Sequence, residues 1–121
     1  MVRIFRILLV VGILVCTVGG CSSLSVKDQG SVYVNPSQSH EECFQLSPSQ
    51  VLHYSFNTSK PVNFNIHYHE AENITYAVSQ DNIAATDGTF YPEKEQFYCL
   101  MWTNSQSAPV SLSYKYNIEK K

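Results

Sequence analysis

Apolar and polar residues alternate with a period of two along four stretches of the chain. The clearest is residues 62–69, where four apolar residues interleave with four polar ones. The same alternation is present at 51–56, 74–78 and 110–118. Because successive side chains of a β-strand point to opposite faces, each stretch predicts a strand with one buried and one wet face.

Residues 96–104 break this pattern, because apolar side chains follow one another from 97 to 102. A strand that is apolar on both sides is predicted to be central and covered on both faces. Clusters of turn-forming residues at 57–61, 86–88 and 103–107 separate the strands. Short strands at this spacing predict an all-β fold, a small antiparallel β-sandwich or barrel of the Greek-key or jelly-roll kind.

Two aromatic residues of the central strand form the candidate binding face. If Cys99 points into the core, Tyr98 and Trp102 lie on the opposite face and would present an aromatic platform to a protein or a sugar. The alternative is that a loop or the polar N-terminal stretch covers them. Exposure of Trp102 would favour the first interpretation.

The first twenty residues have the pattern of an export signal. Two arginines precede an apolar stretch from residue 7 to 20, and its continuous apolar part is shorter than the roughly 20 residues that a membrane-spanning helix needs. The sequence Val-Gly-Gly-Cys at 18–21 resembles the bacterial lipobox. The resemblance implies cleavage of a signal peptide, residues 1–20, and lipidation of Cys21. An ordinary secretory signal, which would leave a soluble domain, is the alternative.

Lipidation of Cys21 would hold the protein on a membrane surface, because more than one acyl chain gives stable anchoring. The predicted location is therefore the cell envelope. The residue after the cysteine is Ser22 and not an Asp. This resembles the pattern of lipoproteins that are sorted to the outer membrane of bacteria with two membranes.

The remaining hundred or so residues suffice for one domain. Residues 21–39 are polar and predict a tether, in which 31–34 could add an edge strand, and residues 40–121 form the predicted domain. The net charge is −2 and the charges are scattered, so no basic stripe exists to bind phosphates. Nucleic acid is not an expected partner.

Four cysteines occur in the chain, and two of them remain once Cys16 leaves with the signal and Cys21 takes the lipid. Cys43 and Cys99 then have only each other, and in an oxidising compartment they are expected to bond. Closing a loop of this length stabilises a fold by about 4 kcal/mol in the chain-entropy model. The predicted disulfide is structural.

Several short motifs follow one another in a definite order. They are Glu-Cys-Phe at 42–44, an apolar strand at 51–56, an alternating strand at 62–66, Gly-Thr-Phe at 88–90 and Tyr-Cys-Leu-Met-Trp-Thr-Asn at 98–104. Together they resemble the GOLD domain, the lumenal β-sandwich of small secretory-cargo receptors. The resemblance implies a sandwich closed by a Cys43–Cys99 disulfide that contacts proteins or ligands and has no catalytic residues. No coiled coil or membrane helix follows in this sequence, so a role in vesicle trafficking is not expected.

Metal binding is an alternative function. His67 and His69 lie two apart and project from one strand face, and His53 is in phase on a predicted neighbouring strand. Imidazoles in this arrangement would suit zinc or copper. The simpler interpretation is that they form the solvated polar half of the alternation, with Asn63 and Asn65. His40, at the boundary between the predicted tether and the domain, adds little.

Catalysis has little support in the sequence. No serine elbow, HExxH, phosphate loop or CxxC motif is present, and no cofactor is expected. The carboxylates of Asp81, Asp87, Glu93 and Glu95 fall in predicted loops. Three functions remain: an anchored module that binds a protein or glycan, a metal-binding lipoprotein, and an inhibitor of an envelope enzyme that would use a protruding loop such as 83–92.

Overall fold

The computed structural model describes residues 26–121, with side chains from Asp28 onward. The predicted signal peptide, the lipidation site Cys21 and the start of the predicted tether lie outside the described residues. The described residues form six β-strands and no helix, which confirms the all-β class. The strands are β1 (Val26–Val34), β2 (Ser39–Leu46), β3 (Gln50–Glu70), β4 (Asn73–Phe90), β5 (Gln96–Thr103) and β6 (Val110–Lys120).

The described part of the chain therefore has no helix with the length and hydrophobicity that a bilayer crossing requires.

Strand β3 organises the antiparallel sheet. Along one edge it pairs with β6 over residues 50–58 and with β5 over residues 63–68, while β4 pairs along its other edge. The order of the hydrogen-bonded strands in the sheet is therefore β1-β6-β3-β5-β2. The curled sheet thus has two halves that share the β3–β4 hairpin: the β1 half, with strands β1-β6-β3-β4, and the β2 half, with strands β2-β5-β3-β4.

The core lies between these two halves. The ring of Trp102, on β5, lies 5.5 Å from that of Phe64 and 5.2 Å from that of Tyr114, measured between ring centroids. Phe56 meets the same indole edge-on at 5.7 Å. These residues come from β3, β5 and β6, so aromatic packing closes one half of the sheet onto the other.

Two of the predicted turns are parts of strands. Residues 57–61 lie inside β3, where the register to β4 shifts and the strand changes its partner from β6 to β5. Residues 86–88 lie inside β4. A Cβ on Gly88 would overlap the Tyr54 ring of the adjacent strand, so this glycine makes room for an aromatic side chain and forms no turn. The third predicted turn, 103–107, coincides with the loop that follows β5, apart from Thr103, the last residue of that strand.

The predicted tether is wrong from residue 26 onward. Strand β1 pairs with β6 along all nine of its residues, Val26 to Val34, so the edge strand is longer than the predicted 31–34. A four-residue turn with Ser37 at a φ of 63° leads directly into β2. The backbone hydrogen bonds of β6 attach this polar stretch to the sheet, which composition alone does not reveal.

Candidate functional site

The predicted aromatic platform is not on the surface. Tyr98 and Trp102 are 2% and 1% exposed and face the core, whereas Cys99 lies on the opposite face of β5. The premise that Cys99 points inward is therefore wrong. Both faces of this strand are apolar, so the alternation defined two faces without showing which one is inside.

The Cys43–Cys99 disulfide itself is confirmed. The two cysteines are direct cross-strand partners in β2 and β5, so the bond joins neighbouring strands of one half-sheet and does not cross the core. Glu41 lies beside them, and the three side chains form a cluster of metal-ligand type. Because both thiols are consumed by the disulfide, this cluster offers no thiolate to a metal.

The three predicted histidine ligands do not converge. His53 lies on β3 itself, not on a neighbouring strand, and in the β1 half it contacts Thr89 at 3.3 Å. His67 and His69 lie at the other end of the same strand with ring centroids 5.2 Å apart. No third ligand atom from a His, Cys, Asp or Glu of residues 28–121 completes this pair.

His67 is a buried histidine at the surface of the β2 half. Its Nδ1 donates a hydrogen bond of 2.7 Å to Asn65 Oδ1, and its ring lies against Tyr76. Burial lowers the pKa of His67, Glu41 acts to raise it, and His69 lowers it further. The neutral imidazole therefore belongs to a packed surface cluster.

This cluster is part of an apolar patch, named here the Tyr76 face. It comprises His67, His69, Ile74, Tyr76 and Phe97, on the outer face of β3, β4 and β5. Tyr76 is the cross-strand partner of His67, and Ile74 that of His69. Ile74, Tyr76 and Phe97 are 48%, 55% and 56% exposed. The described chain thus exposes three large apolar side chains on one side of one half-sheet.

A β-bulge places two of these residues outside. Ile66 pairs with Val78 and His67 with Tyr76, so Ala77 is an extra residue in β4. Side chains on the two sides of a bulge exchange faces, and Ile74 and Tyr76 consequently point to solvent. The sequence alternation at 74–78 had put them on the same buried face as Val78. The bulge is not visible in the sequence.

Acidic side chains surround the Tyr76 face. Glu70 and Glu72 lie at the tip of the β3–β4 hairpin, Glu95 precedes β5, and Glu41 acts electrostatically on His67. Among these acids Glu70 accepts a hydrogen bond of 2.8 Å from Lys94. The face therefore combines an apolar centre with an acidic rim.

The other predicted carboxylates form no catalytic arrangement. Asp81 and Asp87 lie in β4 and not in a loop, while Glu93 and Glu95 lie in the segment between β4 and β5. All four are exposed. Residues 83–90 of the predicted protruding loop are also strand, so the prediction of a loop at 83–92 is wrong.

The fold and the site define the class of this protein. It is an all-β protein with one curled antiparallel sheet, one cross-strand disulfide and an exposed apolar face. No family model and no curated protein sequence matches the chain. The crystal structure of Aeromonas hydrophila PliG, a periplasmic lysozyme inhibitor of g-type lysozyme, aligns with a TM-score of 0.50 at 12% identity. That alignment covers 82% of this chain and 88% of PliG.

A protein of the Bacillus endospore appendages, a family of disulfide-linked pili, aligns with a TM-score of 0.51 at 10% identity, over 88% of this chain and 96% of that one. At such identities these similarities show the fold alone. They do not bear on the resemblance to the GOLD domain, which stays a prediction.

Proposed function

We propose that this protein is a membrane-anchored, extracytoplasmic binding module that contacts a protein partner through the Tyr76 face. The observation that carries the proposal is the clustering of Ile74, Tyr76 and Phe97, all about half exposed, on one surface. Contiguous apolar surface rimmed by polar groups is typical of protein-interaction sites, where aromatic anchors supply most of the binding energy. Binding is favoured over catalysis, since the carboxylates are exposed and dispersed.

Two features support a location outside the cytoplasm. The lipobox-like sequence that ends at Cys21 implies a lipid anchor, and a structural disulfide such as Cys43–Cys99 persists in oxidising compartments. The anchor is tested by palmitate labelling and by mass spectrometry of the mature N-terminus. We expect a lipid-modified chain that begins at Cys21, and an unmodified N-terminus at any other residue would contradict the anchor.

The binding face is tested by photo-crosslinking of the full chain in the cells that produce it. A photoreactive amino acid replaces Tyr76 in one variant and Phe97 in a second. In a matched control it replaces Ser105, an exposed residue in the loop after β5. We expect the first two variants to yield the same discrete protein adduct and the control to yield none. Adducts that are absent from both face positions, or equal at all three, would contradict the proposed face.

Inhibition of a cell-wall-degrading enzyme is a second candidate function. The fold is similar to that of an inhibitor of g-type lysozyme. In addition, the β3–β4 hairpin ends in an exposed two-residue turn, in which Ala71 has a φ of 54° and Glu72 follows it. An exposed turn with a carboxylate is a feature that can contact a substrate cleft.

The lysis of peptidoglycan by a g-type lysozyme, measured with increasing amounts of the purified full chain, tests this candidate. We expect stoichiometric inhibition that Glu72→Lys abolishes and that Glu119→Lys, an equal charge change at the end of β6, leaves intact. Full lysozyme activity at excess protein would exclude the inhibitor function, and the crosslinking result would then decide on the binding module separately.

A further inference from the structure

The outer face of the β1 half contains a hollow that the Tyr76 face does not involve. Backbone pairing aligns Gln29, Lys115, Ser55 and Asp87 in a row across β1, β6, β3 and β4. This row lies between two adjoining hollows of about 780 and 850 Å³ and lines both of them, and the two together are named the hollow. Both hollows are open to solvent, so a ligand bound here would lie across the strands and would not be enclosed.

Apart from one alanine, the rows on either side of the central one are also polar. Alternation along the strands puts their side chains on this same outer face. Neighbouring side chains are spaced about 4.8 Å apart across the strands and about 6.7 Å apart along them. The flanking rows consist of Asn117, His53 and Thr89 on one side and of Ser31, Ser113, Asn57 and Ala85 on the other.

The chemistry of this lining limits what it can bind. Protein interfaces have aromatic or aliphatic anchors at their centre, and here the outward-facing side chains are polar except for Ala85. Lys115 and Asp87 stand on either side of Ser55, and neither belongs to an ion pair within residues 28–121. With Asp28, which also lines the hollow, there are two aspartates against one lysine, and this balance disfavours a polyanion and leaves a neutral polar ligand as the match.

Amide and hydroxyl side chains offer both hydrogen-bond donors and acceptors. Gln29, Ser55 and Asn57 therefore match a ligand that presents many hydroxyl groups. A spacing of several ångströms in both directions is comparable with the length of one pyranose ring. A carbohydrate chain has this combination of neutrality, repeated hydroxyl groups and regular spacing.

An exposed aromatic ring stands one row beyond the residues that line the hollow. Tyr33 is 81% exposed, and its cross-strand partner is Ser111, the residue that continues the outer face of β6 beyond Ser113. Tyr33 thus lies on the same face as Gln29 and Ser31, one row further along β1. The apolar face of a sugar ring can pack on an aromatic side chain while its hydroxyl groups bond to polar neighbours.

We propose that this hollow binds a neutral glycan strand, with a sugar ring packed on Tyr33 and its neighbours hydrogen-bonded across the row of Gln29, Ser55 and Asp87. This proposal does not depend on the function of the Tyr76 face, because the two surfaces lie toward opposite ends of the β3–β4 hairpin, one around Ser55 and the other around His67. A protein anchored at a membrane would then hold a glycan with one surface and a protein partner with the other.

Titration calorimetry of the full chain, purified in detergent, tests the glycan site with two probes. They are the β-1,4-linked tetramer of N-acetylglucosamine and cellotetraose, which lacks the amide groups. Binding of either probe, weakened roughly three- to tenfold by Tyr33→Ala, is the expected result. Binding of the amide-bearing probe alone would identify an N-acetylated glycan as the ligand.

Two further variants make the test specific. Ser55→Trp, which fills the hollow at its centre, is expected to abolish binding, and Tyr76→Ala, on the other half-sheet, to leave it unchanged. Circular dichroism verifies that each variant is folded. If Ser55→Trp is not folded, the affinity measured with Tyr33→Ala tests the proposal. Absence of binding to both probes at millimolar concentration, or binding that Tyr33→Ala does not weaken, would overturn the proposal.

Discussion

The Tyr114 hydroxyl donates a hydrogen bond to the Glu42 carboxylate, and this contact joins β6 to β2, two strands that share no backbone ladder. His40 also contacts Glu42, with its Nε2 2.9 Å from Oε1, and its ring packs beside Tyr114. The histidine that the sequence placed at the edge of the tether therefore helps to close the two half-sheets over Trp102.

Removing the hydroxyl of this closing contact is expected to destabilise the fold. Tyr114→Phe leaves the ring packed and deletes a bond to a charged acceptor, at a cost of about 1.5–3 kcal/mol in the free energy of unfolding. The matched control is Tyr116→Phe, whose hydroxyl lies 3.5 Å from Asp28 in an exposed position. Urea unfolding measures both variants, and an equal loss in the two would contradict the closing role of Glu42.

The orientation of β5 predicts opposite outcomes for two aromatic residues of the same strand. Trp102→Ala removes a fully buried ring and should cost about 3–5 kcal/mol, or prevent folding. Phe97→Ala truncates a ring that is mostly exposed and should cost about 0.5 kcal/mol or less. Thermal unfolding separates the two. A costly Phe97→Ala together with a harmless Trp102→Ala would show that the strand faces the other way.

Loss of the disulfide is expected to lower stability without changing the sheet. A double change of Cys43 and Cys99 to Ser removes a constraint on the unfolded chain worth about 4 kcal/mol, a large part of the roughly 5–15 kcal/mol of a typical domain. Denaturant unfolding of the oxidised protein, the reduced protein and the variant measures the effect. Reduction and substitution should lower the midpoint equally, and an unchanged midpoint would contradict a structural role.

Burial of His67 makes stability sensitive to mild acid. Its pKa in the folded protein is lowered from the usual value near 6.5, chiefly by burial. Below about pH 6.5 the unfolded chain therefore binds the proton first, and the stability present at neutral pH is lost as pH falls through the folded pKa. Unfolding midpoints at pH 7.5 and 5.5 should show this decline.

A variant assigns the decline to this side chain. His67→Gln should decline less between the two pH values than the parent protein does, while His53→Gln, at the other end of β3, should decline as much. The groups that act on His67 are Glu41 and His69, and neither is changed in these variants. If His67→Gln kept the full decline, another group would be its source.

Features that depend on local order along the chain were predictable. Alternation at 62–69 and 110–118 predicted strands, and Cys43 and Cys99 were the two cysteines left to bond. Each of these rests on the chemistry of neighbouring residues or on simple counting. Strand boundaries were less predictable. Strand β3 continues through Asn57 and Pro61, although both residues favour turns, because the strand changes its pairing partner there from β6 to β5.

The site residues were not predictable for a physical reason. A period of two defines two faces of a strand, but the partner across the sheet decides which face is buried, and a single extra residue reverses the assignment. Tyr98 and Trp102 face inward because the other half-sheet packs on them, and Tyr76 faces outward because of the bulge at Ala77. The sequence by itself determined the all-β class, the main strands and the cysteine pair, whereas only the tertiary structure decided which side chains meet the solvent.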